Sequence, residues 1–156
     1  DLDQFLKNVH TNGRDNARTP MHWDDSENAG FTEGSPWLKL NPNHKEINVA
    51  AQDHESDSIL NFYREMIHLR KAHSELVYCP YKDLDPEHKC VFTYSRKGES
   101  SNYLVVLNFS SENLTYRLKQ DISSLTVLKS NYPKESHSGL EISLRPWEAI
   151  LFQKAN

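Results

Sequence analysis

The 156-residue sequence is poor in several features that would place it in familiar classes of protein. Its formal net charge of -4 and pI near 6.1 provide no basic stripe, which argues against a nucleic-acid-binding protein. No apolar run approaches the ~20 residues that a membrane-spanning helix requires. The only cysteines, Cys79 and Cys90, form no disulfide framework, and both thiols are expected to be free and reduced. The compartment stays open, with the cytoplasm favoured.

Patterns for metals, phosphates and nucleophiles are also missing. His68 and His73 are five residues apart, which turns them away from a shared metal ion, and Cys79, His88 and Cys90 lack the spacing of a zinc site. There is no Gly-rich phosphate loop and no Gly-x-Ser-x-Gly elbow. We therefore expect no metal, no cofactor and no complete catalytic apparatus within the chain.

What the chain does contain is a dense polar segment near its start. Residues 13–23 read Gly-Arg-Asp-Asn-Ala-Arg-Thr-Pro-Met-His-Trp. No helix or strand period runs through them, so a loop is predicted. Pro20, Pro36 and Pro42 block helix continuation, and the loop is expected to run to about residue 42. Loops of that length inside a compact domain tend to be functional, because binding residues concentrate on them.

Further motifs follow this segment in order along nearly the whole chain. They are Asn-Ala-Gly-Phe (28–31), Pro-Trp (36–37), Ile-Asn-Val (47–49), Leu-Arg-Lys (69–71), Asn-Phe-Ser (108–110), Asn-Tyr-Pro (131–133) and Leu-Arg-Pro-Trp-Glu (144–148). Together with residues 14–23 they resemble the α-glucosidases of glycoside hydrolase family 13, above all the maltases and oligo-1,6-glucosidases. The late motifs are most similar to the fungal enzymes. His22 stands where the family has Gln, which puts the substrate preference in question.

The resemblance implies that only the end of a catalytic barrel is present. The family is built on a (β/α)8 barrel, the TIM barrel, which alone needs roughly 250 residues. In the family, the Arg-Asp-Asn-Ala-Arg motif follows the eighth barrel strand, and the catalytic acids lie on earlier strands. The chain is therefore expected to be a C-terminal portion without the catalytic carboxylates. Its predicted domains are the barrel remnant, residues 1–74, and a C-terminal β-sandwich, residues 75–156.

Two helices are predicted in the first half of the chain. Leu2, Phe5, Leu6 and Val9 recur at helical spacing. A second helix is predicted over residues 56–72, capped by Ser56 or Asp57. Its apolar face is expected to be exposed without the barrel sheet, so the N-terminal third is predicted to be loosely folded. The face comprises Ile59, Phe62, Tyr63, Met66, Ile67 and Arg70.

From residue 76 onward the hydrophobic period changes from 3.6 to two. Candidate strands are residues 76–81, 90–95, 103–109, 114–118, 125–129, 140–144 and 149–152, separated by turn-forming clusters. Residues 103–109 form a continuous apolar run and are predicted to be the most buried strand. Short strands at this spacing predict an all-β antiparallel sandwich. The resemblance implies the same C-terminal domain.

Arg14 is the candidate substrate-binding residue. The resemblance implies that the first arginine of the motif pairs with an upstream aspartate and that together they hold the terminal glucose by its 4-hydroxyl. A guanidinium suits this task because its planar fork of N–H donors can fix a carboxylate and a sugar oxygen together. Arg18 is expected to brace the loop against Asp15 or Asp24. No catalytic residue is assigned within the chain.

Other side chains of the loop have a structural and a functional interpretation. Trp23, Phe31 and Trp37 can stack on sugar rings, but core packing at the base of the loop is expected for at least two of them. Met21 is expected in the core as well. His22 is expected to be a hydrogen-bonded structural histidine.

The clustered acids are predicted to be loop and turn residues. A retaining glycosidase needs two carboxylates about 5–5.5 Å apart, one with a raised pKa. Asp24 and Asp25 are adjacent in the loop, and Asp83, Asp85 and Glu87 lie in a turn, without an apolar pocket around either set.

By resemblance, the full-length protein is an α-glucosidase that hydrolyses terminal α-glucosidic bonds of maltose- or isomaltose-type oligosaccharides with retention. The covalent glucosyl-enzyme intermediate would form on an aspartate outside this chain, so the 156 residues alone are expected to be inactive. The expected partners are the small oligosaccharide and the N-terminal barrel part of the same polypeptide, not nucleic acid or membrane. Three alternatives are a sucrose isomerase or transglucosidase, a non-catalytic relative such as an amino-acid transporter heavy chain, and a carbohydrate-binding sandwich acting alone.

Overall fold

A computed structural model of the chain describes residues 1–133 and 137–155. Backbone contacts divide it into two compact units, Asp1–Met66 and Ile67–Asn156. The division falls inside one helix, and the predicted domain limit between residues 74 and 75 stays a prediction. Within the described ranges, no helix is both long and apolar enough to cross a membrane.

The first unit consists of helices joined by irregular segments. Helix α1 covers Leu2–Asn12, as the hydrophobic spacing predicted, and the carboxylate of Asp1 accepts a hydrogen bond from the amide of Asp3 at 3.0 Å. Helix α2 covers Val49–His54, and helix α3 covers Ile59–Ala72. Short 3-10 turns occupy Asp15–Ala17, Glu27–Gly30 and Pro42–Lys45.

The N-terminus of α3 differs from the prediction. Ser58, not Ser56 or Asp57, satisfies its first turn, because the Ser58 hydroxyl accepts a hydrogen bond from the amide of Asn61 at 3.1 Å. The amide of Leu60 donates to the side-chain oxygen of Gln52, also at 3.1 Å. Ser58 is buried whereas Ser56 and Asp57 are exposed, so only Ser58 is held where its oxygen can cap the helix.

Hydrophobic burial is almost absent from the first unit. Among its described apolar side chains, only Pro20 and Ala29 are buried. The exposure expected for the apolar face of α3 is observed at Ile59 and Ile67, while Met66 is half-buried. This unit is therefore stabilised by helix caps and hydrogen-bonded turns, in place of the apolar core that stabilises most folded units.

The second unit contains the end of α3, a short helix and two antiparallel sheets. Helix α4 is Glu75–Tyr78. The strands are β1 Tyr81–Asp83, β2 Val91–Lys97, β3 Ser101–Asn108, β4 Leu114–Arg117, β5 Thr126–Ser130, β6 Glu141–Leu144 and β7 Ala149–Ala155. Five of them form a sheet in the order β1-β2-β3-β7-β5, and β4 pairs with β6 in a second sheet. The predicted sandwich of antiparallel strands is confirmed.

One predicted strand is wrong. Residues 76–81 were predicted to be extended, but helix α4 occupies the first half of that range and β1 begins only at its last residue, Tyr81. Leu76 is buried beside Tyr103, Val105 and Leu151 on one face of the large sheet. A short apolar run fits a buried helix turn as well as a strand, and here packing against the sheet selects the helix.

Both faces of the large sheet are covered by apolar side chains. The main core lies between the two sheets and comprises Val91, Leu104, Val106, Tyr116, Leu118, Ile122, Ile142, Leu144, Ile150 and Phe152. On the opposite face, Leu76 and the partly buried Leu69 pack with Tyr103, Val105 and Leu151. Strand β3 contributes to both layers, which explains its continuous apolar sequence and confirms it as the most buried strand.

A polar corner precedes β7. The guanidinium of Arg145 donates to the carboxylate of Glu148 at 2.6 Å and lies 4.3 Å from the ring centre of Tyr132. Glu148 is 2% exposed. Burial raises the pKa of this carboxyl, but the hydrogen bonds and charge of Arg145 outweigh it and hold the pKa below 4.5. The backbone bend places Trp147 at φ 57°, a strained angle for a non-glycine residue.

Candidate functional site

The candidate substrate-binding residue, Arg14, lies on the surface directly after helix α1. The helix ends at Gly13, whose amide donates to the carbonyl of Val9 at 2.7 Å, and a Cβ at this position would collide with that carbonyl. Arg14 then caps a 3-10 turn, with its carbonyl accepting from the amide of Ala17 at 3.0 Å. Its side chain is exposed and makes no hydrogen bond or ion pair with any other described residue. The guanidinium is available to an external carboxylate or hydroxyl.

Arg18 does not brace the loop by the predicted ion pair. Within the described part of the chain, no salt bridge joins Arg18 to Asp15 or Asp24. Its backbone amide donates to the carbonyl of Asp15 at 3.0 Å instead. The carboxylate of Asp24 is already satisfied by the hydroxyl and amide of Ser26, which lower its pKa below 3.8. Ser26, two residues after Asp24, therefore binds the carboxylate that Arg18 was expected to bind.

A left-handed turn follows Asp24. Asn28, Ala29 and Gly30 have φ angles of 55°, 55° and 64°, in the region that disfavours residues with a Cβ. The carbonyl of Ala29 accepts from the amide of Trp23 at 2.9 Å, which ties the turn to the motif segment. The side-chain amide of Asn28 donates to the carbonyl of Gly34 at 3.1 Å and fixes the chain beyond the turn.

This turn borders an open cavity of about 560 Å³. Its lining combines one aromatic ring with hydroxyl, amide and carboxylate groups, from Ser26, Glu27, Asn28, Gly30, Phe31, Thr32 and Glu33. The side chain of Phe31 is 49% exposed. Sequence reasoning treated the residues of this turn as separate features, since Ala29 has no preference for the left-handed backbone that brings them together.

His22 belongs to a second, smaller cavity of about 290 Å³. It is lined by Thr19, Pro20, Met21, His22, Ile47, Asn48, Val49 and Gln52. Nδ1 of His22 is 3.0 Å from the carbonyl oxygen of Ile47, and the His22 carbonyl accepts from the amide of Val49 at 3.0 Å. The prediction of a hydrogen-bonded structural histidine is confirmed. Asn48, which caps α2 through a 2.8 Å bond from the amide of Ala51, completes this part of the loop.

The loop aromatics are not in a core. Trp23, Phe31 and Met21 are about half-exposed, and Trp37 is 90% exposed, so the prediction of core packing for these residues is wrong. The physical reason is that the described residues of the first unit form no buried apolar cluster against which these side chains could pack. The rings are left on the surface, where stacking on a sugar is open to them.

Of the acids outside the loop, Asp83 is the last residue of β1, and Asp85 follows it in the connection to β2. The carboxylate of Asp83 accepts from the amide of Asp85 at 3.0 Å, and the carboxylate of Asp85 accepts from the hydroxyl of Tyr116 at 3.0 Å. Over the described ranges, no group of three His, Cys, Asp or Glu side chains is arranged to hold a metal ion. Among the described residues, Arg14 and the linings of the two loop cavities are the candidates for ligand binding.

An exposed arginine loop followed by a helix and an antiparallel sandwich is the arrangement expected for the end of a barrel glycosidase with its C-terminal domain. Residues 1–79 match the family described as "Alpha amylase, catalytic domain", and residues 91–151 match "Alpha-amylase SusG C-terminal domain". The chain belongs to the α-amylase family. The predicted fold, the end of a TIM barrel followed by a β-sandwich, is confirmed by both matches.

Similar proteins include bacterial enzymes. The chain is 42% identical to the oligo-1,6-glucosidase of Parageobacillus thermoglucosidasius, over 98% of this chain and 28% of the relative. It is 40% identical to the oligo-1,6-glucosidase of Bacillus cereus, with the same coverage. The crystal structure of isomaltulose synthase from Klebsiella sp. LX3 superimposes with a TM-score of 0.84 at 38% identity, over 97% of this chain and 27% of that one.

Two consequences follow from these comparisons. The chain spans 28% of the length of the curated relatives it matches, so the activity of a whole enzyme cannot be assigned to these residues alone. The predicted similarity to the fungal enzymes is not supported, because these relatives are bacterial. The identification as an α-glucosidase-type sequence is confirmed.

Proposed function

We propose that these 156 residues are the C-terminal part of a longer α-glucosidase. The enzyme hydrolyses terminal α-glucosidic bonds of short isomaltose- or maltose-type oligosaccharides, with the α-1,6 linkage preferred. The observation that carries this proposal is the 42% identity to a protein named oligo-1,6-glucosidase across 98% of the chain. The catalytic carboxylates belong to the preceding part of the polypeptide, and no cofactor takes part.

In this mechanism Arg14 positions the substrate and does no bond-breaking chemistry. Its exposed guanidinium pairs with an aspartate of the preceding barrel and donates to the 4-hydroxyl of the terminal glucose. A charge-assisted donor of fixed direction holds the anomeric carbon in place between nucleophile and acid. The reaction is retaining, through a glucosyl-aspartate intermediate on a residue outside this chain.

The test is the kinetics of Arg14 variants in the longer protein. Arg14→Ala should lower kcat/KM for isomaltose by about 10- to 100-fold, because hydrogen bonds to charged groups contribute about 1.5–3 kcal/mol. Arg18→Ala is the matched control, since Arg18 is an exposed arginine of the same loop without an ion pair to Asp15 or Asp24. Equal losses in both variants, or no loss in Arg14→Ala, would refute the role of Arg14.

A second candidate function is transfer of the glucosyl group instead of hydrolysis. It is favoured by the TM-score of 0.84 to an isomaltulose synthase. Sucrose distinguishes the two, because an isomerase returns a different glucosyl-fructose whereas a hydrolase releases free glucose. The absence of turnover on isomaltose, maltose and sucrose would indicate the non-catalytic relative.

The domain limit between residues 74 and 75 and a cytoplasmic location are part of the same proposal. The free thiols of Cys79 and Cys90 suit a reducing compartment. Fractionation of cells that express the longer protein tests the location, and limited proteolysis with fragment mapping tests the limit.

A further inference from the structure

We infer that the cavity of about 560 Å³ beside the left-handed turn is a subsite for a neutral pyranose unit of the oligosaccharide, separate from the glucose bound at Arg14. The inference rests on the proposed function. It concerns six side chains, Phe31 among them, and the backbone of Gly30, none of which belongs to the segment that carries Arg14.

The dimensions of the cavity suit a sugar. Ligand-binding clefts in proteins measure roughly 300–1,000 Å³, and this one lies in the middle of that range. Phe31 forms its only aromatic wall among the residues that line it, with about half of the side chain accessible. A pyranose has one face of axial C–H groups, which packs against the electron-rich face of such a ring.

The polar groups around the ring match sugar hydroxyls. Among the described residues, the carboxylates of Glu27 and Glu33 make no hydrogen bond or ion pair, so both can accept from hydroxyl groups. Thr32 adds a hydroxyl on the same lining. No lysine or arginine lines the cavity, and two carboxylates repel a phosphate group. The site therefore selects a neutral sugar over a phosphorylated one.

The turn that builds the cavity is pre-organised. Three consecutive left-handed residues would not persist without support, which comes from the Asn28 amide and from the bond between Trp23 and Ala29. At Gly30 a Cβ would lie 2.7 Å from the carboxylate oxygen of Asp24, so no larger residue fits there without movement. Binding to a site already in its final geometry has a smaller entropic cost.

The experiment compares isomaltose with isomaltotriose as substrates of the longer protein. Phe31→Ala should lower kcat/KM for the trisaccharide by about 10-fold and for the disaccharide by less than about twofold, since a ring contact is worth about 1.4 kcal/mol. Phe31→Tyr should keep the trisaccharide rate and Phe31→Leu should not, because only tyrosine keeps an aromatic face. Phe5→Ala is the matched control, as this phenylalanine of α1 is 62% exposed and does not line the cavity.

The possible outcomes distinguish failure of the subsite from failure of the proposed function. Failure of the unsubstituted longer protein to hydrolyse either sugar overturns the proposed function. Normal hydrolysis with equal losses on both substrates in Phe31→Ala, or with no loss on either, overturns the subsite. Equal loss in Phe31→Tyr and Phe31→Ala also overturns it, because a stacking contact must recover with the ring.

Discussion

Each of the two units of the chain is stabilised internally by a different kind of interaction. Ile67–Asn156 buries two apolar layers against one sheet, whereas Asp1–Met66 buries only Pro20 and Ala29 among its described apolar side chains. The first unit depends on polar devices such as Asn48 and Asn28, which satisfy backbone groups at turns and helix ends. The candidate substrate-binding residues lie in the polar unit, and the buried apolar clusters lie in the other one. Single substitutions should therefore act differently in each.

The largest difference is expected between phenylalanines of the two units. Phe152 is 1% exposed in the main core, and Phe152→Ala should lower the free energy of unfolding by about 3–5 kcal/mol. Phe5 is 62% exposed on α1, and Phe5→Ala should change the free energy of unfolding by less than about 0.5 kcal/mol. Urea unfolding followed by circular dichroism measures both. Similar losses would mean that the first unit contributes to the cooperative core.

The ion pair of the second unit should produce a smaller, pH-dependent effect. Glu148→Gln should destabilise the sandwich by about 2–3 kcal/mol at neutral pH, because it removes the carboxylate charge that pairs with Arg145 at a buried position. Since the pKa of Glu148 is lower in the folded state, its contribution is complete above pH 4.5 and is lost as the pH falls through the folded-state pKa.

Urea midpoints measured from pH 7 to pH 3 check both parts of this prediction. The unsubstituted chain should lose stability at the acidic end, and Glu148→Gln should lose less over the same interval. Parallel curves for the two proteins would show that another carboxyl is responsible.

In the first unit a cap should matter more than any apolar contact. Asn48→Ala removes the bond from the amide of Ala51 and the bond that the Asn48 amide donates to the His44 carbonyl, both 2.8 Å. Amides of α2 should exchange about tenfold faster, as expected for a loss of about 1–2 kcal/mol. Asn48→Asp keeps the acceptor oxygen but loses the donor, so its exchange rates should lie between those of the unsubstituted chain and those of Asn48→Ala. Unchanged exchange rates would show that the Asn48 cap does not stabilise this unit.

Much of this contrast could be predicted from the sequence, because the hydrophobic period is about 3.6 residues in the first part of the chain and two in the second part. Alternation placed six of the seven strands correctly, and helical spacing placed α1 and α3. The range 76–81 was assigned wrongly since its apolar run is too short to distinguish strand from helix. Packing of Leu76 on the sheet, a contact between distant residues, decides it.

The candidate site was less predictable than the fold. Arg14 follows from a sequence motif, but the cavity beside Phe31 depends on three left-handed residues. Asn28 and Gly30 belong to residue types that adopt this conformation, whereas Ala29 between them does not. Arg18 and Trp37 were given structural roles by residue type alone. Their exposure depends on which neighbours satisfy Asp24 and on the lack of a local core, neither of which is a local property of the sequence.

The smallest effect concerns strained backbone in the second unit. Trp147 has φ 57°, so Trp147→Gly should be more stable than Trp147→Ala by about 1 kcal/mol, the reverse of the usual order for these two residues. Thermal unfolding of the two variants gives the comparison directly. A more stable alanine variant would mean that the bend relaxes once the indole is removed.

The central claim is that this chain supplies the substrate-side loop and the C-terminal sandwich of a glycosidase whose carboxylates lie elsewhere. Release of p-nitrophenol from p-nitrophenyl-α-glucoside, by the 156 residues and by the longer protein, tests it most directly. We predict hydrolysis by the longer protein and none by the 156 residues. Hydrolysis by the 156 residues alone would contradict the claim, because it would require a catalytic pair of carboxylates among the turn and loop acids.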